Sequence, residues 1–278
     1  MFAPVIRTLS TATMQVTYSR RVQRTLQNPV SYCGPAADFQ RRVTVMILPA
    51  APDSGIRVVR RDLPGEPQPL PARPEYVGAD GSGATLECPD GVGVHAVGPI
   101  LAALAACGID NAEVCLDGPD AVLPEGGASA LVEALWGAGV ADQPRPLRVL
   151  KIERAIDVSD GHRRAMLRPS NVPHAAISLD AENGSGRHRW LALGLAEETL
   201  RRHLAGSLGG ASNGLTGTAS LYRNLLDCLG YLAAAGAPII GHFLAENADH
   251  ELMRALVRAL PGQRGSWSLV EVAADAPV

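Results

Sequence analysis

The sequence predicts an α+β protein made of two copies of one unit, in which a β-sheet packs against two helices. The first observation is an internal match: residues 104–108 read Leu-Ala-Ala-Cys-Gly, and residues 232–236 read Leu-Ala-Ala-Ala-Gly. The second is the order of elements, because at both places a short apolar helix ends at glycine and is followed by a β-rich run and another helix. The third is the length of 278 residues, which allows two domains with ample core. We expect a functional site at the seam between the units.

The first domain is predicted over residues 24–141, after a leader at residues 1–23 that we expect to be flexible. Its helix at residues 99–107 begins with Pro99, which is well suited to the first helical position because proline has no N–H to leave unpaired there. The other predicted elements are β-rich runs at 42–49, 56–61 and 84–88, a strand at 112–116, and a helix at 128–136 that is expected to bury Leu131, Val132, Leu135 and Trp136.

The second domain is predicted over residues 147–278, and the polar segment 142–146, with two prolines, is predicted to be the boundary. A loop is predicted at 207–220, where Gly and Ser are frequent. The other predicted elements are strands at 147–158, 163–169, 175–180 and 187–193, and helices at 196–204, 221–235 and about 249–260.

Composition excludes several function classes. The net charge of −3, with both signs mixed along the chain, gives no basic surface for nucleic acid or for an anionic membrane. No apolar stretch approaches the ~20 residues that a membrane-spanning helix needs. The five cysteines are odd in number and include no Cys-x-x-Cys pair, so neither a disulfide framework nor a thiolate zinc site is indicated. This cysteine usage favours a cytoplasmic protein.

Several stretches, in order from residue 24 to the C-terminus, resemble the UDP-3-O-acyl-N-acetylglucosamine deacetylase family, the LpxC-like zinc amidases of lipid A synthesis. They are residues 24–26, 43–49, 60–63, 101–114, 223–232 and 239–241. The resemblance implies two domains, each a sheet packed on two helices, with the active site between them. It also implies a Gram-negative bacterial source and, as partner, a UDP-sugar or a protein of lipid A synthesis.

The metal positions of the family are mostly replaced. Its Thr-Val-Glu-His motif matches residues 96–99, so that Gly98 stands where the resemblance places the general base and Pro99 where it places a zinc ligand. Its His-Lys-x-x-Asp motif matches residues 223–227, so that Arg223 replaces a histidine ligand and Asp227 is retained. A catalytic zinc ion needs about three protein ligands, and arginine does not deprotonate to become one.

Of three further family features, one is retained and two are altered. His250 matches the family's catalytic histidine, which protonates the leaving amine. Glu125 lies where the family has a Met-Asp-Gly-Ser loop, which here reads Pro-Glu-Gly-Gly. The inserted segment that forms the family's acyl-chain passage does not fit into the predicted loop at 207–220.

These residues predict a non-catalytic family member that binds no cofactor and acts as a binding or regulatory module. Arg223 and Asp227 are expected to form an ion pair in the position that zinc would occupy, and a buried pair of this kind would be costly to break. The second interpretation is an active zinc deacetylase or related amidase with an altered site, in which His95 and His242 join Asp227 and His250 as ligands. A third is a metal-free hydrolase that uses His250 with Glu125.

Overall fold

A computed structural model describes residues 22–36, 41–65, 68–78, 83–180, 188–207 and 216–272. The first half contains β1 (Val22–Leu26), β2 (Val30–Pro35), β3 (Arg42–Pro49), β4 (Ile56–Arg60), β5 (Leu70–Pro71), β6 (Leu86–Glu87), β7 (Gly93–Val94), α1 (Gly98–Ala106), β8 (Ala112–Leu116), α2 (Gly127–Gly137) and β9 (Val140–Pro146). Of the predicted leader, residues 1–21 lie outside the described residues, and residues 22–23 already belong to β1.

The second half contains β10 (Arg148–Ile152), β11 (Ile156–Asp160), β12 (Arg163–Arg168), β13 (His174–Asp180), β14 (His188–Gly194), α3 (Glu197–Ser207), α4 (Thr216–Ala233), β15 (Ile239–Ile240), β16 (His242–Glu246), α5 (His250–Ala259) and β17 (Trp267–Glu271). Short 3-10 helices lie at Pro74–Tyr76 and Leu260–Gly262. No described helix is long and apolar enough to cross a membrane.

The two halves repeat one sheet topology. The strand order is β2-β3-β8-β4-β5 in the first five-stranded sheet and β11-β12-β16-β13-β14 in the second. In both orders the successive pairings are antiparallel, antiparallel, parallel and antiparallel. The helix before the central strand ends at a glycine with positive φ in each half, Gly108 at 66° and Gly236 at 86°. The predicted α+β class with a repeated unit is therefore confirmed.

Helix α1 lies at the centre of the molecule and is buried on every side. It contacts α2, α3 and α4, and its residues from Ile100 to Leu104 are all buried. A helix that is apolar all round is suited to such a position. The buried residues of both sheets, from Val45 in β3 to Phe243 in β16, join those of α1 in one continuous hydrophobic core. The two repeats thus share a core at the seam where α1 packs against α4.

The closest approach of α1 and α4 is a contact between two glycines. A Cβ atom placed on Gly230 would lie 2.5 Å from the carbonyl oxygen of Gly98 and 2.6 Å from its Cα. A Cβ atom on Gly98 would lie 3.2 Å from the Cβ of Ala84 and 3.8 Å from the Cα of Gly230. Side chains are absent from both helices at this crossing, so the backbones meet directly.

The segment between the two predicted domains is a strand. Strand β9 covers the polar residues 142–146 and pairs antiparallel with β1, and a buried hydrogen-bond network attaches this pair to the first sheet. In the network, Asn111 donates to Gln23 at 2.9 Å and to Gln143 at 2.7 Å, and its own side-chain oxygen accepts from the backbone N–H of Gly55. A polar sequence with two prolines forms a strand here because it lies at a sheet edge and its buried glutamines find partners.

Other element boundaries also differ from the prediction. The run at 147–158 is two strands that join different sheets, β10 with β15 and β17, and β11 with β12. Helix α4 begins at Thr216, so the end of the predicted loop at 207–220 is helical, and residues 208–215 lie outside the described residues. The sequence did not indicate a helix here because Ser, Thr and Gly have low helix propensity. The tertiary packing of α4 overrides that propensity.

Trp136 was expected to be buried, and this was wrong. Its exposed fraction is 52%, and the guanidinium carbon of Arg201 in α3 lies 4.3 Å from the centre of the indole ring. The other three residues predicted to be buried by α2, Leu131, Val132 and Leu135, are buried. Because Trp136 lies at the end of the helix, the apolar face is completed without it, and its ring is available to an arginine on the neighbouring helix.

The contact between Gly98 and Gly230 predicts that a methyl group added at this crossing lowers stability, whereas one added at an open position does not. We expect Gly230→Ala to lower the free energy of unfolding by about 1–3 kcal/mol, because overpacking would force α1 and α4 apart. Urea denaturation followed by circular dichroism measures this. The matched control is Gly137→Ala in α2, where a Cβ would meet nothing within 4 Å. Equal stabilities for the two variants would contradict the assignment of this crossing as tightly packed.

Candidate functional site

The site expected at the seam is built mainly on α4. Arg223 and Asp227 are four residues apart and therefore lie on the same side of this helix. Asn224 fixes the helix to the segment that leads into α5, because its side chain donates to the backbone oxygen of Ala248 at 2.9 Å. Tyr231, one turn beyond Asp227, is fully buried. The helix is thus held firmly on both sides of the Asp227 carboxylate.

His250 comes to this site at the first position of α5. The helix begins there because the Asp249 side chain caps it, accepting from the backbone N–H of Leu252 at 3.0 Å. The ring of His250 lies with its centre 6.0 Å from that of Tyr231. The structure therefore brings together two of the residues predicted for the site, His250 and Asp227.

The electrostatics of Asp227 are dominated by burial. Desolvation raises the pKa of its carboxyl group above the ordinary value, and the nearby charges of His250 and Arg223 oppose this shift only in part.

The expected ion pair between Arg223 and Asp227 is not formed. Among the hydrogen bonds and ion pairs of the described residues, none joins these two side chains, and Arg223 is exposed to solvent. A long, flexible side chain that is in contact with water gains little free energy by ordering itself beside a carboxylate. The interpretation that a buried ion pair fills the metal position was therefore wrong.

Helix α1, on the other side of the seam, has no polar side chain at the two altered positions, 98 and 99. Gly98 and Pro99 are the first two residues of α1, and Gly98 is buried against Gly230 and Ala84. Proline is favourable at this point because it leaves no N–H unsatisfied at the start of the helix. Neither residue has a side-chain atom that could donate a proton, accept one or bind a metal ion.

The residues present do not fit a catalytic zinc ion. Zinc takes nitrogen, sulfur or carboxylate ligands, and a catalytic site uses about three of them. Asp227 and His250 can serve, whereas Gly98, Pro99 and Arg223 cannot. No group of three or more His, Cys, Asp or Glu side chains within the described ranges is placed to hold a metal ion.

The replacement ligands considered from the sequence lie elsewhere. His242 alternates with the buried Phe243 and so lies on the outer face of the second sheet, where its ring centre is 6.2 Å from that of His174. The backbone N–H of His95 donates to the carbonyl of Pro119, beside an isolated bridge to Asp120. Glu125 is exposed in the turn before α2, and no hydrogen bond or ion pair of the described residues joins it to His250.

Sequence reasoning missed the residue that closes the seam. Gly230 lies inside an otherwise well-formed helix, where glycine costs about 1 kcal/mol relative to alanine. An interior helical glycine usually has a packing reason, and that signal was present in the sequence. Asn224 and Tyr231 gave no comparable signal, because their roles depend on partners that are distant in sequence.

Comparison with known proteins gives a consistent result. A family model described as LpxC: UDP-3-O-acyl N-acetylglycosamine deacetylase matches residues 23–207. The UDP-3-O-acyl-N-acetylglucosamine deacetylase of Myxococcus xanthus (strain DK1622) is 31% identical over 281 residues, covering 89% of this chain and 89% of that protein. The protein of the same name from Shewanella baltica (strain OS155 / ATCC BAA-1091) is 32% identical over 293 residues, covering 92% and 95%.

The exposed position of Arg223 predicts a small effect of its removal. We expect Arg223→Ala to change the free energy of unfolding by no more than about 0.5 kcal/mol, as for most surface substitutions. The neighbouring variant Asn224→Ala is the control and should cost about 1 kcal/mol, because it removes the hydrogen bond to Ala248. A loss of about 3–5 kcal/mol on Arg223→Ala would instead indicate a buried ion pair.

Proposed function

Because the chain belongs to the UDP-3-O-acyl-N-acetylglucosamine deacetylase family, we propose that it is a divergent member without the zinc chemistry, acting as a non-catalytic binding or regulatory module. The proposal concerns the loss of catalysis within that family. The partner that we propose is a UDP-sugar or a protein of lipid A synthesis. A cytoplasmic location is part of the proposal and is supported by the five cysteines, all of which are free thiols.

Two observations at the start of α1 support the proposal: its first two residues have no side chain able to act as a base or a ligand, and the helix backbone there packs directly against α4. Gly98 and Pro99 leave α1 without a base or a ligand, and the direct contact of Gly98 with Gly230 uses the space at the start of that helix for packing. An amide is hydrolysed only if water is activated and the leaving amine is protonated. His250 can donate a proton, but Gly98, which stands where the resemblance places the general base, has no side chain to activate water.

The arrangement of Asp227 and Arg223 at the seam suits binding more than catalysis. Asp227 is half-buried with a raised pKa, and Arg223 extends into solvent nearby. A guanidinium that is not committed to an ion pair can contact an anionic group, such as a phosphate, on a molecule that docks over the seam. This arrangement supports a role in holding a partner at the former active site.

The proposal predicts no deacetylation. We expect the full chain, supplied with an equal concentration of Zn²⁺, to release no acetate from UDP-3-O-acyl-N-acetylglucosamine above the rate of its Asp227→Ala variant. Detection of the free amine by mass spectrometry measures the reaction. Turnover that depends on Asp227 and on added zinc would contradict the proposal and favour an active deacetylase with an altered site.

The short connection between α3 and α4 predicts weak recognition of an acyl chain. Only residues 208–215 lie between the two helices, which leaves no room for an inserted passage. Each CH₂ group buried in such a passage would contribute about 0.8 kcal/mol. We therefore expect acylated and non-acylated UDP-N-acetylglucosamine to bind with dissociation constants within about tenfold of each other in calorimetry. A much larger gain from the acyl chain would show that a passage exists.

A further inference from the structure

Strand β14 leaves an unusually long edge on the second sheet. It has seven residues, all paired with β13 on one side, and it ends the strand order of that sheet among the described residues. Its counterpart in the first sheet, β5, has two residues, one of them Pro71. Short strands and prolines protect sheet edges from pairing with other chains. The β5 edge has this protection and the β14 edge does not.

The direction of the backbone groups follows from one hydrogen bond. The N–H of Leu195 donates to the carbonyl of Pro173 at 2.9 Å, which extends the antiparallel register of β13 and β14 by one residue. Hydrogen-bonded pairs alternate along an antiparallel ladder. The backbone groups of Leu193 and Leu191 therefore point towards β13, and those of Trp190 and Ala192 point away from the sheet, at its free edge.

The side chains of β14 add an exposed apolar surface to this edge. Leu193 is buried towards the helices, so Trp190 and Ala192 lie on the opposite, outer face. Trp190 has an exposed fraction of 73%, the largest among the exposed large hydrophobic residues of the described chain. An exposed indole ring at a sheet edge adds apolar area that can anchor an interface.

The sequence of β14 is self-complementary about its central residue. If two copies pair antiparallel about Leu191, Trp190 of one copy faces Ala192 of the other, so each large side chain meets a small one. Arg189 faces Leu193, and no like charges are opposed. Because the outward groups are those of alternate residues, the facing pairs would exchange about eight hydrogen bonds, two for each of four pairs.

We propose that β14 is a dimerisation edge, which pairs antiparallel with β14 of a second copy of this chain and joins the two second sheets into one. A two-fold axis through Leu191 makes the interface isologous and closed, so pairing ends at the dimer. This proposal depends only on the second sheet and is independent of the loss of zinc chemistry.

Sedimentation equilibrium of the full chain over roughly a hundredfold range of concentration tests the proposal. We expect a reversible monomer–dimer equilibrium. Ala192→Pro should give a monomer, because it removes an outward N–H while the ladder with β13 keeps all its hydrogen bonds. An unchanged melting temperature and circular dichroism spectrum would show that this variant is folded.

A second pair of variants keeps the test decisive if Ala192→Pro does not fold. Trp190→Lys should weaken dimerisation at least tenfold, whereas Met46→Lys, at an exposed hydrophobic residue in β3 of the first sheet, should leave it unchanged. A chain that is monomeric throughout, including one that binds another protein at β14 instead, would overturn the proposal. So would a dimer that persists in the folded Ala192→Pro variant or in Trp190→Lys.

Discussion

The direct backbone contact between Gly98 and Gly230 is the constraint on which the rest of the structure depends. It sets the distance between α1 and α4, and these two helices join the repeats into one core. Interiors are packed as tightly as organic crystals, so side chains such as Ile100 and Leu225 around the crossing must fit the separation that the glycines allow. In this chain the close contact requires a glycine at position 230, and the residue that faces it, Gly98, stands where the resemblance places the general base.

This constraint lies at the altered positions of the candidate site. The start of α1 is where the resemblance places a base and a ligand, and here it holds Gly98 and Pro99, which favour close approach and helix initiation. Asp227 in α4 and His250 in α5 remain near each other, and burial raises the pKa of the Asp227 carboxyl group. At the seam, Asp227 and His250 are retained from the family pattern, whereas Gly98 packs against Gly230.

The architecture was predictable from sequence because it rests on local and repeated signals. The glycine stops at Gly108 and Gly236 and the apolar helices before them are visible without any tertiary information. The prediction was incomplete where partners distant in sequence decide the structure. Residues 142–146 form part of a strand because β9 pairs with β1, and Trp136 stays exposed at the end of α2, where Arg201 of α3 packs on its ring.

The positions of the candidate site residues could be taken from the sequence more readily than their contacts. Asp227 and His250 lie near each other, and their role in catalysis or metal binding stays a prediction. The Arg223–Asp227 pair was not, because spacing four residues apart permits contact, and solvation decides whether it forms. Gly230 was overlooked although its unfavourable place inside a helix indicated a packing role.

Metal analysis of the purified chain tests the central claim most directly. The account predicts that the full chain, equilibrated with excess Zn²⁺ and then desalted, retains far less than one zinc ion per molecule by mass spectrometry. A variant carrying both Pro99→His and Arg223→His, which restores two ligands beside Asp227, should retain roughly one. Stoichiometric zinc in the unmodified chain, lost on Asp227→Ala, would contradict the account, because it would show that the seam still assembles a complete metal site.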